Sequence, residues 1–145
     1  MTKDDALNFL SRHQPMPSDK DLTQDIIDKY DDVRKFFIKN PDRKAIELFL
    51  RSFGEGDGWG VYQLVEDFFY QCYDIDVKKE IKKVLEDITI PDSIRYWVTQ
   101  IAAAFSDEIL RNGLQISLQS KNIDIRDAAR MAINQLDEYK KEKLN

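Results

Sequence analysis

Four carboxylates, Glu55, Asp57, Glu66 and Asp67, are the groups in this sequence that could pair for general acid–base work. Beside them stand a single histidine, His13, and a single cysteine, Cys72. A Cys72–His13 dyad would be the one nucleophilic option. Cys72 lies on an apolar helical stripe, however, where a free thiol behaves as a small hydrophobe. One His and one Cys cannot build a zinc site from several such ligands. One cysteine cannot close an internal disulfide, which excludes a disulfide-stapled secreted scaffold. No catalytic signature emerges, and neither an enzyme nor a cofactor is expected.

The segment Gly54-Glu55-Gly56-Asp57-Gly58-Trp59-Gly60 holds four of the five glycines. Alternating glycines permit positive φ and close backbone approach. A phosphate cradle would use that freedom, but Glu55 and Asp57 repel phosphate. The spacing fits neither a dinucleotide fingerprint nor a P-loop. A calcium loop needs oxygen ligands more densely placed. Two readings stay open: a flexible turn between helices, or a partner-binding loop that presents acids and Trp59. Trp59 itself reads either as a staple of the turn or as an interface anchor, since Trp and Tyr are enriched in hot spots. Trp97 lies on an apolar stripe and is expected in the core.

These residues need elements to position them. With 145 residues the chain suits one domain with a true hydrophobic core. Its 22 basic and 27 acidic residues give a net charge of −5, a poor field for nucleic acid. The run Lys78 to Lys83, interrupted by Glu80, reads as the solvated side of a helix. The start, MTKDDALNFL, lacks a basic segment followed by an apolar run, so a cytoplasmic protein is expected. The longest nearly uncharged stretch, Trp97 to Ser106, falls short of the roughly 20 apolar residues of a membrane span.

Apolar spacing is helical almost throughout. Leu22, Ile26, Tyr30, Val33 and Phe37 form one stripe, and Ile46, Phe49, Leu50 and Phe53 another. Asn40 before Pro41 reads as an N-cap with proline at the first helical position. Ser106-Asp107-Glu108 reads as a cap with an acidic first turn. Ile88-Thr89-Ile90 is the one short β-like run, and Pro91 ends it. Seven or eight helices and no sheet are expected.

Three stripes fall into register. Val61, Leu64, Val65, Phe68, Phe69 and Cys72 match Ile94, Trp97, Val98, Ile101, Ala102 and Phe105. These match Ile125, Ala128, Ala129, Ala132, Ile133 and Leu136. The offsets are 33 and 31 residues, and another helix precedes each stripe, at 42–53, 76–88 and 107–119. This predicts an α-solenoid of about three helical hairpins, with an irregular helical bundle as the competing arrangement. The expected organisation is a single domain over 1–145. Within it lie one or two N-terminal helices in 1–40, repeats over 41–139 and a charged tail at 140–145 that frays.

A helical wheel places the face opposite each stripe. It comprises Gln63, Glu66, Asp67 and Tyr70, then Tyr96, Thr99, Gln100 and Ala103, then Asp127, Arg130, Met131 and Asn134. In a solenoid these share one concave surface, mixed in charge rather than basic.

Asp92-Ser93-Ile94-Arg95 and Asn122 to Ala129 resemble the start of the second helix of a HEAT repeat, where an aliphatic–Arg pair is followed by small residues. The resemblance covers 41–139. It departs in the first unit, where Tyr62 stands at the Arg position. It implies structural roles for Arg95 and Arg126, paired with acids of neighbouring turns. Gly58 to Glu66, together with Ser93-Ile94-Arg95-Tyr96-Trp97, is similar to small bacterial HEAT-like immunity proteins of polymorphic toxin systems. The resemblance implies a cytoplasmic immunity protein that occludes the active site of a toxin. The partner would be a protein, with no nucleic acid, membrane or small-molecule substrate. The expected contact residues are Glu55, Asp57, Trp59, Tyr62, Gln63, Glu66, Asp67, Tyr70, Tyr96, Gln100 and Arg130. A HEAT-like adaptor or scaffold for another protein is the alternative. A helical-repeat nucleic-acid protein, like the DNA glycosylases of this architecture, would need a basic concave face.

Overall fold

A computed structural model describes residues 1–144. Among them are eight α-helices and three short 3-10 turns, and no strand, as the spacing predicts. The chain forms two compact units, one spanning Met1–Val77 and a second beginning at Lys78.

The first unit starts with α1 (Lys3–Ser11), opened by a reciprocal capping box between Thr2 and Asp5. Helix α2 (Gln24–Lys39) is capped by the Thr23 hydroxyl. Asn40 does not open the following helix. It closes α2, with its side chain donating to the Phe36 carbonyl at 3.0 Å. Asp42 takes over the expected role, accepting the Lys44 N–H at 2.8 Å just before α3 (Lys44–Leu50). Helix α1 packs on both α2 and α3, so the N-terminal helices build this unit's core.

The inner helix expected over 61–72 does not form as one piece. A 3-10 turn, Tyr62–Val65, runs into the single turn of α4 (Glu66–Phe69). The period explains the change. In a 3-10 turn, residues three apart eclipse. Tyr62, Val65 and Phe68 are all buried, while Leu64, a stripe member at helical spacing, is exposed. Aromatic rings dictate this: Tyr62 lies edge-on to Tyr30 (5.6 Å between centroids) and Phe53 (5.4 Å), and Phe68 packs on Phe49 at 4.9 Å. Each such pair adds about 0.5–1.5 kcal/mol beyond its buried area.

The second unit contains most of α5 (Asp74–Leu85), then α6 (Asp92–Ala104), α7 (Arg111–Leu118) and α8 (Ile123–Leu144). Asp107 caps the 3-10 turn before α7, accepting the Ile109 N–H, as its sequence suggests. Helix α8 packs on both α6 and α7. Gly113 lets α7 approach α5, since a Cβ there would lie 2.5 Å from that of Leu85. The tail expected to fray from Lys140 is helical to Leu144, and Asn145 lies outside the described residues.

Trp97 is only half-buried, against expectation. The buried arc of α6 includes Arg95 and Thr99, which turns Trp97 to its edge. Arg95 is structural, but its bonds run to the Ser117 hydroxyl (2.9 Å) and the Asp87 carbonyl (3.0 Å). Thr99, expected on the open face, is fully buried and shares Ser117 at 2.9 Å. Arg126 donates to the Ser120 carbonyl at 3.2 Å, closing the turn before α8.

Candidate functional site

The glycine-rich segment follows α3 directly and is held against residues 16–19. Met16 donates its N–H to the Ser52 carbonyl, and Asp19 donates its N–H to the Glu55 carbonyl, both at 2.9 Å. In return the Asp19 carboxylate accepts two successive loop N–H groups, from Asp57 (3.0 Å) and Gly58 (2.9 Å). The Trp59 indole N–H donates to the Asp19 carbonyl at 3.2 Å. Tyr62 anchors the other edge, its hydroxyl accepting the Gly54 N–H at 3.1 Å.

Successive N–H groups aimed at one anion form a nest. Here the anion belongs to the chain itself. The two N–H groups are occupied by the Asp19 carboxylate, one at each oxygen. The backbone of this segment between helices is tied at several points. The ties also force Trp59 into the left-handed region, at φ 51°. That conformation costs a non-glycine residue about 1–2 kcal/mol.

The loop exposes Glu55, Asp57 and nearly half of Trp59 (47%). Asp57 also accepts the Gly60 N–H at 3.3 Å. Tyr62 is a correction to the expected contact set, because it is 1% exposed and belongs to the core. Burial pushes its hydroxyl up to about 12, with the Gly54 N–H opposing. Gln63 and Asp67 are exposed and Glu66 is half-buried. Tyr70 is exposed and donates to Glu66 at 2.7 Å, a bond that pushes its hydroxyl up to about 12.

In the second unit, Gln100 is exposed and donates to the hydroxyl of half-buried Tyr96. They line a groove whose other wall is α8, with Asp124, Asp127, Ala128 and Met131. Arg130 is exposed and pairs with Asp127 at 3.3 Å.

Cys72 and His13 are each engaged within their own turn. The thiol donates to the Phe68 carbonyl at 3.7 Å, and His13 donates to the Phe9 carbonyl at 2.7 Å. Burial pushes the thiol up to about 11, away from an activated nucleophile. Among the described residues no group of His, Cys, Asp and Glu could hold a metal ion, and no helix is long and apolar enough to cross a membrane.

Asp19 escaped the sequence reading. It sits 39 positions before Gly58 in a polar stretch after Pro17, without local periodicity. The one local signal was the run of alternating glycines, which does not name a partner so distant in the chain.

No protein-family model matches the chain, and neither does any curated protein or solved structure.

Proposed function

We propose that this chain is a protein-binding helical-repeat module that works in the cytoplasm. On its resemblance to HEAT-like immunity proteins, it neutralises a toxin by occluding its active site. One observation carries the protein-binding part. The Asp19-anchored loop holds two exposed carboxylates and a half-exposed tryptophan in a fixed arrangement. A loop already ordered loses little conformational freedom on binding, so its contacts translate into affinity. Trp59 is the anchor, and Glu55 and Asp57 steer a basic cleft toward it. Asp67 and the Glu66–Tyr70 pair extend the same acidic and aromatic character along the following turns.

The repeat reading belongs to the same proposal. What supports it is the order of the helices, with α5 to α8 near the positions expected for two successive repeats, α3 and the broken α4 segment before them, and α7 packed on α8.

The test is capture of the partner from the native host, then co-expression with any toxin domain so found, scoring growth rescue and the association rate of the purified pair. The wild-type chain rescues growth, and association slows with salt. The E55K/D57K double variant associates at least about tenfold more slowly, and W59A dissociates faster. Tight binding without loss of toxin activity assigns the adaptor role instead. Unchanged rates in both variants remove the loop from the interface.

A further inference from the structure

We propose that the Asp57–Gly58 bond is a protected site of aspartate isomerisation, kept closed to that chemistry by Asp19. Asp57 is exposed and is followed by glycine. That pair cyclises readily, because no Cβ on the second residue hinders the approach of its backbone nitrogen. In the reaction the Gly58 nitrogen bonds to the Asp57 Cγ, and a C–O bond of the protonated carboxyl breaks. The hydroxyl leaves with the amide proton as water, giving a succinimide. Water then adds at either carbonyl. Addition at Cγ restores aspartate, and addition at the former backbone carbonyl gives an isoaspartyl link. No other reactant is consumed.

The fold opposes each requirement of this step. Ring closure needs the Asp57 Cβ to eclipse the bond to Gly58. At φ −113° and ψ 8° the Asp57 backbone nitrogen holds that eclipsed position instead. The peptide group between the two residues is tied on both edges, so it does not turn freely. The Gly58 N–H donates to Asp19 at 2.9 Å, and the Asp57 carbonyl accepts the N–H groups of Gly60 (3.1 Å) and Tyr62 (3.3 Å). The attacking nitrogen belongs to a buried residue, and the Asp57 carboxylate accepts the Gly60 N–H at 3.3 Å.

Among these ties, Asp19 is the one made by a side chain outside the loop. It also holds the Asp57 N–H at 3.0 Å, so its two oxygens fix the spacing between successive donors. An isoaspartyl link runs the chain through Cβ and Cγ and puts an extra atom between those donors. Asp19 no longer matches both, and the loop stays unclasped once the reaction has occurred. Asn112–Gly113, the other acid- or amide-bearing residue followed by glycine in this way, lies inside α7 and is held by the helix instead.

The experiment ages the full chain at neutral pH and reads residue 57 by electron-transfer mass spectrometry, which separates isoaspartate from aspartate by its backbone fragments. Native wild type is expected to accumulate little isoaspartate there, and wild type in urea to accumulate it steadily. Native Asp19→Ala should react about tenfold faster than native wild type. Asp19→Asn keeps one acceptor oxygen and should fall between, and it carries the test if the alanine variant folds poorly. In urea the three chains should react alike, and native deamidation at Asn112 should be the same in all three. Native wild type reacting as fast as in urea overturns the proposal, as do equal native rates in wild type and both variants. A slower rate in the variants would make Asp19 the base that activates the Gly58 nitrogen, and overturns it too.

Discussion

Asp19 and Gly58 are joined across 39 positions of chain, the Asp19 carboxylate accepting the Gly58 N–H at 2.9 Å. With the neighbouring Asp57 N–H at 3.0 Å, the bond makes the glycine-rich loop a fixed surface. A carboxylate that accepts two backbone N–H groups makes charge-assisted bonds, about twice as strong as neutral ones. The exposed acids of the loop are therefore placed by a third acid, half-buried Asp19.

Replacing that acid should loosen the loop before it unfolds the protein. Asp19→Ala is expected to cost about 1–3 kcal/mol in urea denaturation, since the Asp57 N–H gains water while the N–H of buried Gly58 is left without its acceptor. Amide exchange at Asp57 and Gly58 should accelerate, with exchange in α2 changing far less. Asp19→Asn retains one acceptor oxygen and should fall between. Unaltered protection at both amides in the alanine variant would show that the loop is ordered by something else.

The loop backbone makes a sharper comparison. Gly58 has φ +60°, and a Cβ there would lie 2.5 Å from the Tyr62 ring, whereas Gly60 has φ +90° with open space around it. Gly58→Ala must shift a buried aromatic ring, for a cost of about 2–4 kcal/mol. Gly60→Ala carries backbone strain alone, about 1–2 kcal/mol. Thermal melts of the two variants test the order. Equal losses would mean that Tyr62 gives way freely.

How far the sequence discloses this arrangement depends on the range of each interaction. Helix identity follows from local spacing, so α5, α6, α7 and α8 stand close to where the stripes place them. The first inner helix fails because Tyr62 and Phe68 are collected by distant rings, Tyr30 and Phe49, with Val65 buried between them in sequence. A wheel built for an α-helix cannot register that three-residue period. Thr99 and Trp97 exchange expected environments for a related reason. The Arg95–Ser117–Thr99 bonds rotate the buried arc of α6, and Ser117 belongs to another helix. The site splits the same way. Glu55, Asp57 and Trp59 announce themselves by composition, whereas Asp19 becomes visible only once the chain folds back on it.

Gly113 tests the packing of the second unit. In an exposed helix, Gly→Ala stabilises by about 1 kcal/mol through propensity. At Gly113 the new methyl would stand 2.5 Å from the Leu85 Cβ, and α7 must move away from α5. Overpacking costs about 1–3 kcal/mol, so the net change should be destabilising by up to about 2 kcal/mol. Leu85→Gly removes that Cβ and relieves the clash in the same background, so the pair should be less destabilised than the sum of the single variants. Strict additivity in a double-mutant cycle would mean that the two positions do not touch.

Alkaline pH should act on the loop through Tyr62. Its hydroxyl is raised from an ordinary value near 10 to about 12, because burial disfavours the phenolate. A raised folded-state value means that the native chain holds its proton longer than the unfolded chain does. The stability linked to that proton is complete below pH 10 and is lost as the pH rises from 10 through 12. Tyr70 adds to the same window, since its bond to the Glu66 carboxylate also requires the proton. Spectrophotometric titration should therefore show three tyrosines ionising late, Tyr62 and Tyr70 near 12 and the fully buried Tyr30 after them, with urea stability falling from pH 10 upward. Tyr70→Phe should remove the exposed contribution and leave the fold intact. Tyr62→Phe should remove the buried one and free the Gly54 N–H, so that loop amides exchange faster even at neutral pH. If Tyr62 ionises near 10 with the loop still protected, the hydroxyl does not hold Gly54, and the loop is tied down through Asp19 alone.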